Sequence, residues 1–171
     1  QRFRELMKPL ELPYRAVPGN HDNVAVMSEC FSDQSWMPSK GPINWNLDFD
    51  DLAVIGLGYV GLPLAIALEK EFPVIGFDQN FLRVEELMLG NDNTLEVSKS
   101  DLESTKQISF SSSLSEIETC NCFIISVPTP ISNDNTPDLE PLRNATNMVG
   151  KVIKRGDVVI YESTVYPGCT E

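Results

Sequence analysis

Residues 46–68 read NLDFDDLAVIGLGYVGLPLAIAL, and this stretch decides the fold. Leu52–Leu57 (LAVIGL) is a short apolar run suited to a strand buried on both faces. Gly58 to Gly61 make a turn, and Val60 to Glu71 read as a helix with Pro63 tolerated in its first turn. Gly56-Leu-Gly58-Tyr-Val-Gly61 is therefore G-x-G-x-x-G in the strand–turn–helix setting that gives the motif its meaning. Gly56 permits the tight turn, Gly58 lets the backbone approach a pyrophosphate, and Gly61 lets the helix pack closely on the strand. Leu57, Tyr59 and Val60 complete the turn. The helix N-terminus offers unpaired N–H groups and a partial positive charge to phosphates.

Outward from the turn, strand and helix alternate. Pro73–Asp78 (PVIGFD) is a second buried strand, Phe81–Leu89 has helical spacing, and Gly90 is placed to end that helix. Ser98–Ser104 reads as a short helix and Gln107–Ser111 as a third strand. Ser113 and Glu116 have the spacing of a capping box opening another short helix. Asn121–Val127 is the most apolar strand, followed by the loop PTPISNDNTPD, a helix over 139–154, a fifth strand at Asp157–Ser163 and a turn at Tyr166–Gly168. Strands separated by helices predict a Rossmann-like, doubly wound parallel α/β sheet in the order 3-2-1-4-5. Asp78 closes the second strand seventeen residues after Gly61, where a carboxylate can accept from the ribose hydroxyls of an adenosine. It would repel a 2′-phosphate, so NAD is expected rather than NADP. The rival reading is a glycine-rich turn with no ligand.

The first fifty residues do not share this rhythm. They predict helices at 2–9 and 24–31 and short strands at 13–17 and 45–49, an irregular α+β segment for which poor order is one of the readings the sequence leaves open. The expected division is 1–50 and 51–171. A hairpin between WNLDF (45–49) and Leu52–Leu57 conflicts with a first strand that has a parallel neighbour on each side, and the parallel sheet is expected to prevail.

Composition narrows the function classes. Lys and Arg number 13 against 25 Asp and Glu, a net charge of −12, so nucleic acid is not an expected partner. A bound nucleotide must rely on backbone N–H groups rather than a basic patch. The four cysteines (Cys30, Cys120, Cys122 and Cys169) are too irregularly spaced for a disulfide framework, and Cys120-Asn-Cys122 does not make a zinc site. Reduced cysteines, no visible secretory signal and no membrane-length apolar run lead to an expected cytoplasmic location. Gln1 in place of an initiator methionine is read as a sign of a fragment, a processed product or an engineered piece.

The segments AVIGLGYVGLPLA, VIGFDQNFLRVEEL, FIISVPTPI, TPDLEPL and GDVVIYESTVYPGCTE occur in that order over about 120 residues. Together they resemble the N-terminal half of the UDP-glucose/GDP-mannose dehydrogenase family, and most closely the branch that oxidises UDP-N-acetyl-hexosamines at C6. The resemblance implies NAD as cofactor, with contacts from the turn 56–61, Asp78, Arg83, Val127, Pro128, Thr129 and Ser163. Arg83 has a second reading, as a solvated helix residue. Thr164 matches a threonine near the catalytic water, or merely ends a strand. The same resemblance implies two hydride transfers and a thioester on a cysteine, helped by a lysine, all downstream of YESTVYPG. Cys169 sits too early to be that nucleophile. These 171 residues are thus expected to bind NAD without oxidising a nucleotide sugar, which would join as a partner only with the missing half.

LPYRAVPGNHDN (12–23) and FSDQSWMPSKGPINWNLDFDDLAVIGL (31–57) resemble a different family, the calcineurin-like metallophosphoesterases. There Asn20 would be a metal ligand and His21 would sit over a phosphate. His21 is the one histidine of the chain, too few for a dinuclear site, so both are expected to be vestigial and no metal is expected. The two likenesses together read as a chimera. The alternatives are a phosphoesterase fragment and a non-enzymatic scaffold.

Overall fold

The computed structural model describes residues 51–131, 137–163 and Val165. The elements expected at 2–9, 13–17, 24–31 and 45–49, the residues Asn20, His21 and Thr164, and the turn at 166–168 lie outside these described residues.

Five strands form one parallel sheet: β1 (Leu52–Ile55), β2 (Val74–Phe77), β3 (Ile108–Ser111), β4 (Cys122–Ile125) and β5 (Val158–Tyr161). Their order is β3-β2-β1-β4-β5, the expected one. Leu52 pairs with Val74 on one side and Cys122 on the other, and Ile55 with Phe77 and Ile125. Both edges of β1 are thus occupied along its whole length by parallel neighbours.

Between the strands run α1 (Gly61–Leu68), α2 (Phe81–Met88), α3 (Lys99–Ser104), a 3-10 turn (Leu114–Ile117) and α4 (Glu140–Val149). Strand side chains alternate between two cores, as a sheet covered on both faces requires. Leu52 and Val54 pack with Leu62, Ala65, Leu87 and Leu102 under the first three helices. Ala53 and Ile55 pack with Ile117, Phe123, Met148 and Val149 under the 3-10 turn and α4.

Every strand is shorter than the apolar run that announced it. β1 ends at Ile55 because Gly56 adopts φ +93°, and Gly56 and Leu57 belong to the turn. The helix expected over 139–154 ends at Val149, and Val152 reaches the core from the turn beyond it. The capping box at Ser113 does not form: Ser113 makes no side-chain cap, its hydroxyl pairs with that of Ser115, and a 3-10 turn results. Asn80 and Ser98 cap instead, accepting from Leu82 N–H and Asp101 N–H. Buried Glu69, at the end of α1, accepts from the N–H groups of Lys106 and Gln107 at 3.1 Å each and ties that helix to the start of β3.

Candidate cofactor site

The turn after β1 is built by spending its carbonyl groups on the protein. Ser126 Oγ lies 2.9 Å from Gly56 O and 3.1 Å from Ile55 O. Arg83 Nε donates to Leu57 O at 2.9 Å, and Leu62 N–H donates to Gly58 O at 3.2 Å as α1 begins. On the donor side, Gly56 N–H goes to Phe77 O at 2.8 Å and Leu57 N–H to Asp78 Oδ2 at 2.9 Å. The N–H groups of Gly58, Tyr59 and Val60 donate to no acceptor among the described residues. Three adjacent unpaired donors at a helix start form a cradle for an anion.

The glycines make this geometry affordable only at particular positions. A Cβ on Gly61 would stand 1.8 Å from Gly56 O and 2.4 Å from Ser126 Oγ, so the helix can approach the strand only without one. A Cβ on Gly58 would meet nothing within 4 Å. That face of the turn is open.

Beside the turn lies a cleft of about 590 Å³ at the carboxyl ends of β1, β2 and β4. Of the residues expected to contact NAD, Gly56, Leu57, Gly58, Asp78, Arg83, Val127 and Pro128 line it together. Tyr59 and Val60 are exposed and do not line it, and Gly61 is buried against Gly56 and Ser126. Thr129 is half-buried and does not line the cleft. Ser163 does not line it either; its hydroxyl donates to Val127 O at 2.7 Å and steadies the loop after β4.

Asp78 accepts one backbone N–H on each oxygen, from Leu57 on Oδ2 and from Asn80 on Oδ1 at 2.9 Å. Each oxygen keeps a lone pair with which to accept from a hydroxyl. Arg83 differs from the solvated helix residue that one reading offered. Its side chain is 10% exposed, and its three nitrogens are committed to Leu57 O, Glu86 and Asp92. Asp92 is held by the hydroxyl and N–H of Thr94 and by the N–H groups of Glu96 and Val97. Burial alone would raise its carboxyl pKa, but hydrogen bonds from Thr94, Arg83 and Val97 outweigh it and bring the value down to about 2.

The cleft is net acidic, with Asp78, Asp138 and Glu140 against Arg83 alone. Backbone N–H groups, rather than a basic patch, are the donors this cleft offers to an anion. The donor set suits a dinucleotide: an N–H cradle for the pyrophosphate, a carboxylate for ribose hydroxyls, and a wall of Phe77, Ala145 and Met148 for an apolar ring. Sequence reasoning missed Ser126, Asp92 and Thr94. The serine had a signal, being a polar residue inside the most apolar strand, where it must find a partner.

Cys120 and Cys122 are buried free thiols. Burial, with Asp51 and Asp157 nearby, pushes Cys120 up to about 11, and burial pushes Cys122 up to about 12. Burial of this kind keeps both thiols in the protonated, unreactive form at neutral pH rather than as thiolates. Among the described residues, no helix is long and apolar enough to cross a membrane.

The family profile described as the NAD binding domain of the UDP-glucose/GDP-mannose dehydrogenase family matches residues 50–171. The chain is 53% identical over 120 residues to a UDP-N-acetyl-D-glucosamine 6-dehydrogenase of Pseudomonas aeruginosa, covering 70% of this chain and 28% of that protein. To the Salmonella typhi enzyme of the same name it is 50% identical over 127 residues, covering 74% and 30%. The solved UDP-D-ManNAc dehydrogenase of Pyrococcus horikoshii superposes with a TM-score of 0.61 at 33% identity, over 69% of this chain and 29% of that one. The chain spans less than a third of the length of these relatives. The comparisons lend no support to the phosphoesterase likeness or to a chimera.

Proposed function

Because the chain belongs to the UDP-glucose/GDP-mannose dehydrogenase family and forms its NAD-binding domain, we propose that it serves an enzyme oxidising a UDP-N-acetylhexosamine at C6. The substrate class rests on the names of the two most similar relatives cited above, and the domain is taken to run from residue 51 to 171. NAD, when bound, supplies the hydride acceptor. The chain's own residues bind and orient it. The N–H groups of Gly58, Tyr59 and Val60 hold the pyrophosphate, and Asp78 accepts from the adenosine ribose. Val127 and Pro128 flank the nicotinamide side, where Ser163 fixes the Val127 carbonyl. Thr129 is assigned to the same side, and Thr164 to the neighbourhood of the catalytic water, by family likeness alone.

The observation that carries this reading is the set of three N–H groups without an acceptor among the described residues, on the turn that also gives Asp78 the Leu57 N–H. Calorimetric titration of the 171-residue chain with NAD and NADP tests it. Binding of NAD in preference to NADP supports the reading. A folded chain that binds neither would sink it. Added UDP-N-acetylglucosamine should give no NADH absorbance from this chain alone.

A further inference from the structure

We propose that Asp92 is a positioning residue for the cofactor turn, acting on it through Arg83; the inference rests on the NAD-binding reading above. The peptide joining Leu57 to Gly58 is planar and trans, so its carbonyl and N–H point in opposite directions. Arg83 Nε holds that carbonyl at 2.9 Å. The same bond therefore fixes where the Gly58 N–H points, and Gly58 N–H is one of the three unpaired donors of the cradle.

The bond is only as firm as the guanidinium that makes it. Arg83 Nη1 reaches Glu86 Oε1 at 2.7 Å, one turn along the same helix, and Nη2 reaches Asp92 Oδ1 at 2.7 Å. The Glu86 side chain is 18% exposed, whereas that of Asp92 is wholly buried. Asp92 is itself immobilised. Oδ1 also accepts from Thr94 N–H at 3.0 Å and Thr94 Oγ1 at 2.7 Å, and Oδ2 from Glu96 and Val97 N–H at 3.0 Å each. The loop closes tightly enough around this carboxylate that Leu95 takes φ +60°, a left-handed conformation that a leucine avoids. A rigid post thus fixes the arginine, and the arginine fixes one peptide of the turn. Charge-assisted, planar hydrogen bonding makes Arg well suited to such a relay.

The test is a double-mutant cycle on the whole chain, reading dissociation constants for NAD, ADP and adenosine in Asp92→Asn, Arg83→Gln and the double variant. Asp92→Asn keeps the shape of the side chain and removes its charge. It is expected to weaken NAD and ADP on the order of tenfold while leaving adenosine, which has no pyrophosphate, nearly unchanged. In the Arg83→Gln background the same change should have almost no further effect. Unchanged NAD affinity in Asp92→Asn would overturn the inference, as would equal losses for NAD and adenosine or additive losses in the double variant. Should Asp92→Asn fail to fold, Thr94→Val removes one donor to Asp92 and should give a smaller loss with the same ligand pattern; no such loss would count against the relay. A wild-type chain that binds no NAD removes the underlying reading, an outcome distinct from a bound NAD that ignores Asp92.

Discussion

Ser126 Oγ stands 2.9 Å from the carbonyl oxygen of Gly56, joining the end of β4 to the turn that follows β1. Through this contact the sheet dictates the shape of the turn. Ser126→Ala leaves the Gly56 carbonyl without that donor, and a loss of about 1 kcal/mol in stability is expected. Urea denaturation measures it, and a several-fold weaker NAD affinity should accompany it.

Two neighbouring glycines should respond in opposite ways. Gly61→Ala puts a methyl group 1.8 Å from the Gly56 carbonyl oxygen and should cost about 1–3 kcal/mol of stability. Gly58→Ala meets nothing within 4 Å, so stability should change by less than about 0.5 kcal/mol. Its methyl group occupies the open face, and NAD affinity should fall steeply all the same. Thermal denaturation and calorimetry on the pair separate folding from binding.

Asp78 should govern the choice of cofactor. Asp78→Ala removes an acceptor for ribose hydroxyls and also frees the Leu57 N–H, so NAD should bind on the order of tenfold more weakly. NADP should lose less or gain, because the repulsion of its 2′-phosphate is removed. The ratio of the two dissociation constants is the quantity to follow.

Acid should unfold the domain partly through Asp92. Its folded pKa of about 2 lies below the ordinary carboxylate value, so its contribution is fully present above about pH 4 and is lost as pH falls toward 2. Glu69 acts in the same direction, since hydrogen bonds from the backbone of Lys106 and Gln107 lower its pKa. Asp92→Asn should flatten the acid limb of a stability-against-pH curve, by about 2 kcal/mol between its ends.

How much of this was legible in the sequence depended on the range of the interaction. The five strands and their order were legible, because apolar runs and the intervening helices act locally and the crossover rule does the rest. The glycine turn and Asp78 were legible because their spacing is short and their chemistry specific. Strand ends were not: Gly56 and Leu57 are as apolar as the strand they leave, and only φ +93° at Gly56 separates them. The capping box at Ser113 failed because Ser115 offers that hydroxyl a nearer partner. Arg83 stood out in the sequence, but its fixed posture was not legible there. That posture depends on Asp92, in a loop that reads as nothing more than a polar turn.

The central claim is that the N–H groups of Gly58, Tyr59 and Val60 hold the pyrophosphate of NAD. Following backbone amide resonances of the isotopically labelled chain during an NAD titration tests it directly. The three amides should shift together and saturate with the dissociation constant found by calorimetry. NAD binding that leaves all three amides unmoved would contradict it.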